Sequence, residues 1–125
     1  MMNQLTNKYN QIGKKIYFIA EIGGNFLEFN RAKKLIDAAK KSGADAVKIQ
    51  TFKADTITNK KAYFDMENTG KISQYEYFKK YELSKTLHEK IFEYTKKLKI
   101  DCFSTPSHFS DVDFLEKFDC KFYKI

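Results

Sequence analysis

The sequence predicts an α/β fold in which parallel strands alternate with helices. Three observations carry this. Short apolar runs rich in β-branched and aromatic residues are bounded by turn formers, as strands are. Between them lie longer segments whose apolar residues recur at i, i+3, i+4 and i+7, the stripe of an amphipathic helix. The two kinds alternate along the whole chain, and such alternation implies a parallel sheet covered by helices.

In chain order, the run from Lys15 to Ala20 is the first strand, followed by Glu21 and, just beyond, Gly23, Gly24 and Asn25. A helix begins at Asn30, its predicted N-cap, with Ala32, Leu35, Ile36 and Ala39 on one face. Lys40 and Lys41 suit the negative end of its dipole and Gly43 its stop. Asp45 to Phe52 is the second strand. Lys53 to Ser73 is polar, with Asn68, Thr69 and Gly70 as turn formers, and long enough to be read as a functional loop. A short amphipathic piece, Tyr75 to Tyr81, leads to Ser84, which caps a helix through Lys99 with Leu87, Ile91, Tyr94 and Leu98 inward. Ile100 to Ser104 is the third strand. A further helix runs from Ser107 or Ser110 to Phe118, with Val112, Leu115 and Phe118 inward, and Cys120 to Ile125 opens a fourth strand. The pattern fits either a doubly wound sheet or half of a (β/α)8 barrel. The segment after the first strand lacks the G-x-G-x-x-G of a dinucleotide fold. A complete barrel needs about 250 residues, and this chain has 125.

Composition narrows the function. The chain is one domain or part of one, and 16% aromatic residues exclude general disorder. No stretch approaches the roughly 18 apolar residues of a membrane span, and the first 15 residues lack the apolar core of a signal peptide. A soluble, cytoplasmic protein with no membrane partner is expected. Cys102 and Cys120 are too few for a disulfide scaffold and are expected as reduced core residues. The net charge of +7 is made almost wholly of lysine, Arg31 being the one arginine, and the lysines spread as doublets over the chain. Recognition of nucleic acid favours the forked arginine, so no nucleic-acid partner is expected.

In parallel α/β sheets ligands sit at the C-terminal ends of strands. Here those ends are polar: Glu21 on the first; Lys48 and Gln50 on one face of the second, with Val47 and Ile49 facing helices; Ser104-Thr105-Pro106 on the third; Lys124 on the fourth. A charge inside an apolar strand is costly unless paired or used, and Lys48 is the clearest case. Structural roles compete with functional ones: a buried Glu21–Lys48 ion pair, a helix N-cap at Ser104-Thr105-Pro106, and a solvated end at Lys124. His88 is expected to be exposed, and His108 to cap a helix or lie on the surface.

Five blocks then stand out: Phe18-Ile-Ala-Glu-Ile-Gly-Gly-Asn25, Ala39 to Phe52, Tyr75 to Ser84, Phe103-Ser-Thr-Pro106 and Phe122-Tyr-Lys-Ile125. In this order they resemble the N-terminal half of the sialic acid synthase family, which includes N-acetylneuraminate, legionaminate and pseudaminate synthases and related spore-coat polysaccharide enzymes. The resemblance implies a (β/α)8 TIM barrel, here residues 15–125 cut within strand four after an N-terminal extension, 1–14. It implies a C-terminal antifreeze-like domain and a swapped homodimer for the full-length protein. It implies condensation of phosphoenolpyruvate with an N-acylated amino sugar, release of phosphate, and Mn²⁺ or Mg²⁺ held by residues outside this chain. By motif, Glu21 resembles the acidic residue near the reacting centre. Lys48, Thr105 and Lys124 resemble the phosphoenolpyruvate-binding set, and Gln50 and Asn68 resemble sugar contacts. Phe26 stands where the family commonly has a histidine, which puts a polar role there in doubt. A chain of this extent is expected to be inactive alone. Two other readings of the lysines stay open: a Schiff-base aldolase using Lys48 or Lys124, which borohydride trapping would reveal, and a Lys-rich binding module with steeply salt-dependent affinity for polyanions.

Overall fold

A computed structural model of the chain describes residues 16–125, so the expected extension 1–14 and Lys15 lie outside the described residues. The elements are β1 (Ile19–Glu21), α1 (Phe29–Lys41), β2 (Ala46–Thr51), α2 (Ala54–Ile57), β3 (Tyr63–Met66), β4 (Gly70–Ser73), α3 (Gln74–Tyr81), α4 (Lys85–Leu98), β5 (Asp101–Pro106) and α5 (Phe109–Leu115), the last followed by a 3₁₀ turn, Glu116–Phe118.

The main sheet has the order β1-β2-β5, parallel throughout. The strands therefore follow one another in chain order without a reversal. Glu21 pairs with Lys48 and Lys48 with Phe103, while Gln50 pairs with Thr105. Val47 and Ile49 point to the other face and are fully buried against Ala32, Ile36 and Ala39 of α1 and Leu87 and Ile91 of α4. Burying one such side chain stabilises the fold by about 1.5–3 kcal/mol, so this face is the core. Helices α1, α4 and α5 all lie on it, and Tyr94 and Leu98 of α4 pack partly buried at its margin.

Several expectations are corrected. The first strand is only Ile19–Glu21, because β2 offers partners no earlier than Ala46 and the Asp45 carboxylate takes the Phe18 N–H at 2.9 Å. The N-cap of α1 is Glu28, not Asn30; the Phe29 ring packs edge-on to Tyr94 at 5.8 Å and secures the first turn. The stretch expected as a loop, Lys53 to Ser73, holds α2 and an antiparallel β3–β4 hairpin. Its aromatic residues explain this: Phe64 packs edge-on against Tyr77 and Phe78 of α3, and Phe78 also against Phe52. The predicted turn is present, with Gly70 at φ +63° and the Thr69 N–H bonded to Met66 O at 3.1 Å. The expected fourth strand shrinks to one parallel bridge, Tyr123 to Ser104, since it has a strand neighbour on one side only. Helix α4 follows the reading closely: Ser84 Oγ accepts the Leu87 N–H at 3.1 Å, and Lys99 closes the helix in the left-handed conformation.

Candidate functional site

Strand parity gathers most of the predicted residues. Glu21, Lys48, Gln50 and Thr105 share the face turned away from α1 and α4, at the C-terminal ends of their strands. The Tyr123–Ser104 bridge puts Lys124 level with Thr105 on that same face. The Lys124 N–H donates to Ser104 O at 3.1 Å, and its side chain is exposed. Asn68 is not brought into this group by the sheet. It stands exposed in the hairpin turn between β3 and β4, in the connection that follows the C-terminal end of β2.

Lys48 is enclosed, its side chain 6% exposed, and it forms an ion pair with Glu21, whose side chain is 51% exposed. The pair is thus half open rather than the fully buried bridge of the structural alternative. The enclosed ammonium is a cation fixed on the strand-end face, neutralised from the solvent side by the Glu21 carboxylate. Glu21 uses its other oxygen to accept the Gly23 N–H at 2.9 Å. A Cβ on Gly23 would lie 2.8 Å from Glu21 Oε1 and 2.9 Å from Gln50 Cγ, so only glycine lets the loop after β1 fold onto these side chains.

Thr105 supplies the sharpest observation. Its Oγ1 is buried and has no hydrogen-bond partner among the described residues. Such a group costs about 1–3 kcal/mol, and buried hydroxyls are otherwise almost always paired. The Ser104-Thr105-Pro106 segment is not a helix cap, because the N-cap of α5 is His108, whose ring accepts from the Ser110 N–H. His108 therefore fills the capping role expected for it.

His88 is corrected. It is 1% exposed, held by Ser84 O at 2.9 Å and by Thr51 Oγ1 at 2.9 Å, with its ring against Phe114 and Phe118. Thr51 Oγ1 lies 2.7 Å from Ser104 Oγ. The sequence reading passed over Thr51 and Ser104 as partners. Their parity was the available signal, since each is a hydroxyl on the helix-facing side of its strand. Phe26 is a core residue packed with Ile22, not a group at the site. Cys102 and Cys120 are free thiols and partly buried. Among the described residues no three His, Cys, Asp or Glu side chains gather to hold a metal ion, and no helix is long and apolar enough to cross a membrane.

The sequence profile of the NeuB family matches residues 35–125. A pseudaminic acid synthase of Campylobacter jejuni is 40% identical over 117 residues, covering 90% of this chain and 34% of that protein. An N,N'-diacetyllegionaminic acid synthase of Legionella pneumophila is 44% identical over 114 residues, covering 87% of this chain and 32% of that protein. The chain thus spans about a third of the length of these relatives. Among solved structures, an N-acetylneuraminic acid synthetase from Leptospira borgpetersenii superposes with a TM-score of 0.67 at 24% identity, over 87% of this chain and 35% of that one. A spore coat polysaccharide biosynthesis protein of Bacillus subtilis gives 0.61 at 28% identity, over 83% and 27%. The resemblance read from the five sequence blocks agrees with these matches.

Proposed function

The chain belongs to the NeuB family, and from that premise we propose that it forms the first part of a nonulosonate synthase, which joins phosphoenolpyruvate to an N-acylated amino sugar and releases phosphate. The observation that carries this reading is the buried, unpartnered Thr105 Oγ1 on the same sheet face as enclosed Lys48. Phosphoenolpyruvate bears a phosphate and a carboxylate. Two ammonium groups, Lys48 and Lys124, and one hydroxyl donor, Thr105, can hold them by charge-assisted hydrogen bonds. Carbon 3 of phosphoenolpyruvate attacks the aldehyde carbon of the open-chain sugar, water adds at carbon 2, and the bond from carbon 2 to the phosphate oxygen breaks. Glu21, anchored by Gly23 and half open, is in position to hold that water or take its proton. Gln50 contacts the sugar from β2 and Asn68 from the hairpin that follows it.

The chain order of the strands, with α1, α4 and α5 on one face, supports a singly wound (β/α)8 barrel, since a doubly wound sheet carries helices on both faces. In the complete barrel the face bearing Lys48 becomes the interior. The Mn²⁺ or Mg²⁺ that the resemblance implies is assigned to residues outside this chain.

Calorimetric titration of the chain with phosphoenolpyruvate tests the reading. Saturable one-to-one binding is expected, competed by inorganic phosphate and weakened by Lys48→Met. Heat that scales with any polyanion and vanishes at moderate salt would overturn it in favour of a Lys-rich binding surface. The chain alone should release no phosphate from phosphoenolpyruvate and N-acetylmannosamine.

A further inference from the structure

The strand ends that carry Lys48, Gln50, Thr105 and Lys124 are tied together from behind by a buried polar chain. His88 donates Nδ1–H to Ser84 O at 2.9 Å, which leaves Nε2 of the neutral ring as an acceptor. Thr51 Oγ1–H donates to that nitrogen at 2.9 Å. With the Thr51 proton committed, Ser104 Oγ–H is the donor in the 2.7 Å contact to Thr51 and forks to Ile49 O at 3.2 Å. Burial disfavours the charged imidazole and Lys53 adds to this, against the opposing pull of Ser84 O and Asp111; Phe114 and Phe118 close the ring in. The neutral tautomer is the one the chain of donors needs.

Ser104 is the hub. Its hydroxyl reaches β2 at Ile49, between Lys48 and Gln50. Its own carbonyl accepts the Lys124 N–H at 3.1 Å, and its next neighbour is Thr105. Thr51 O accepts the Ser107 N–H at 3.2 Å, which fixes the turn after β5. Every backbone segment bearing a group of the strand-end face, β1 apart, is thus joined to this network.

We propose that His88 is a positioning residue for the anion site: through Thr51 and Ser104 it sets the spacing of Lys48, Thr105 and Lys124. The inference rests on the reading that these three hold phosphoenolpyruvate. A shift of about 1 Å in such a constellation costs up to about 100-fold, so even partial relaxation is measurable.

The test is phosphoenolpyruvate affinity of the full chain, with melting temperature measured in parallel, for His88→Leu, His88→Gln and Thr51→Val. Ile36→Val, a core change that removes no hydrogen bond of the network, serves as the control for lost stability alone. His88→Leu and Thr51→Val are expected to raise Kd by about tenfold, and His88→Gln, whose amide oxygen accepts from Thr51, to recover to within about threefold. Ile36→Val should lower the melting temperature and leave Kd unchanged. Equal Kd in the unaltered chain, His88→Leu and Thr51→Val would overturn the inference and leave His88 a packing residue. Should His88→Leu fail to fold, Thr51→Val decides alone by the same criterion. Absence of binding by the unaltered chain would instead overturn the site reading itself, and this inference with it.

Discussion

Exchanging Glu21 and Lys48 one at a time should rank the two variants in opposite order for stability and for binding. The Lys48 side chain is 6% exposed and that of Glu21 51%. In Glu21→Gln the enclosed ammonium loses its counter-ion. Breaking a buried pair costs about 3–5 kcal/mol when the survivor is fully enclosed. Water reaches this pair from the Glu21 side, so a loss of about 1–3 kcal/mol is expected. In Lys48→Met the survivor is Glu21, which rehydrates and keeps the Gly23 N–H; the change should stay within about 1 kcal/mol. For phosphoenolpyruvate the order reverses. Lys48→Met deletes a charge-assisted contact worth about 2–4 kcal/mol, a rise in Kd of about 30- to 700-fold at 1.4 kcal/mol per tenfold. Glu21→Gln removes a like charge beside the anion and should leave Kd unchanged or lower. Urea denaturation followed by circular dichroism gives the first quantity and calorimetry the second. If Lys48→Met were the more destabilising change and left Kd untouched, the lysine would be a structural partner of Glu21 and no ligand group.

Three further outcomes follow from the structure. The folded-state pKa of His88 lies below its unfolded value of 6.5, chiefly because of burial, so the unfolded chain binds the proton more readily; the stability owed to the neutral ring should be complete above about pH 6.5 and fall as pH drops through 6.5 toward the folded pKa, and a denaturation midpoint flat across that window, or no steeper than in His88→Gln, would contradict it. Gly23→Ala places a methyl 2.8 Å from Glu21 Oε1 and 2.9 Å from Gln50 Cγ; a loss of about 1–3 kcal/mol by urea denaturation is expected, with weakened phosphoenolpyruvate binding, whereas native-like values of both would show that the loop after β1 does not lie against these side chains. Burial raises the Cys102 thiol well above the ordinary range and pushes Cys120 up to about 11, so alkylation by iodoacetamide at pH 8, followed by mass spectrometry, should be slow in the folded chain and fast in urea; rapid modification of either thiol without denaturant would contradict the packing.

The sequence made the fold's alternation legible because each helix and strand agrees with its own local pattern. Ser84 announces α4 three residues before the N–H it caps, and Val47 and Ile49 mark the helix-facing parity of β2. The same parity placed Lys48 and Gln50 together on the opposite face. What the sequence hid was tertiary. The hairpin of Tyr63–Met66 and Gly70–Ser73 reads as polar loop because its order comes from the edge-on packing of Phe64 against Tyr77 and Phe78, residues of a later helix. His88 reads as exposed because its helix neighbours are charged; it is buried because Thr51 and Ser104, far off in sequence, supply a hydroxyl chain at its ring. The Glu21–Lys48 pair was foreseeable as a pair, but its half-open state depends on the loop geometry that Gly23 allows.

The most direct test of the central claim, that the strand-end face binds phosphoenolpyruvate, is a residue-resolved NMR titration of the isotope-labelled chain. The account predicts saturable shifts centred on Glu21, Lys48, Gln50, Thr105 and Lys124, with the Thr105 hydroxyl environment changing most and the pattern lost in Thr105→Val. Shifts spread instead over the surface lysine doublets of α1 and α4, unsaturated and abolished by salt, would contradict it.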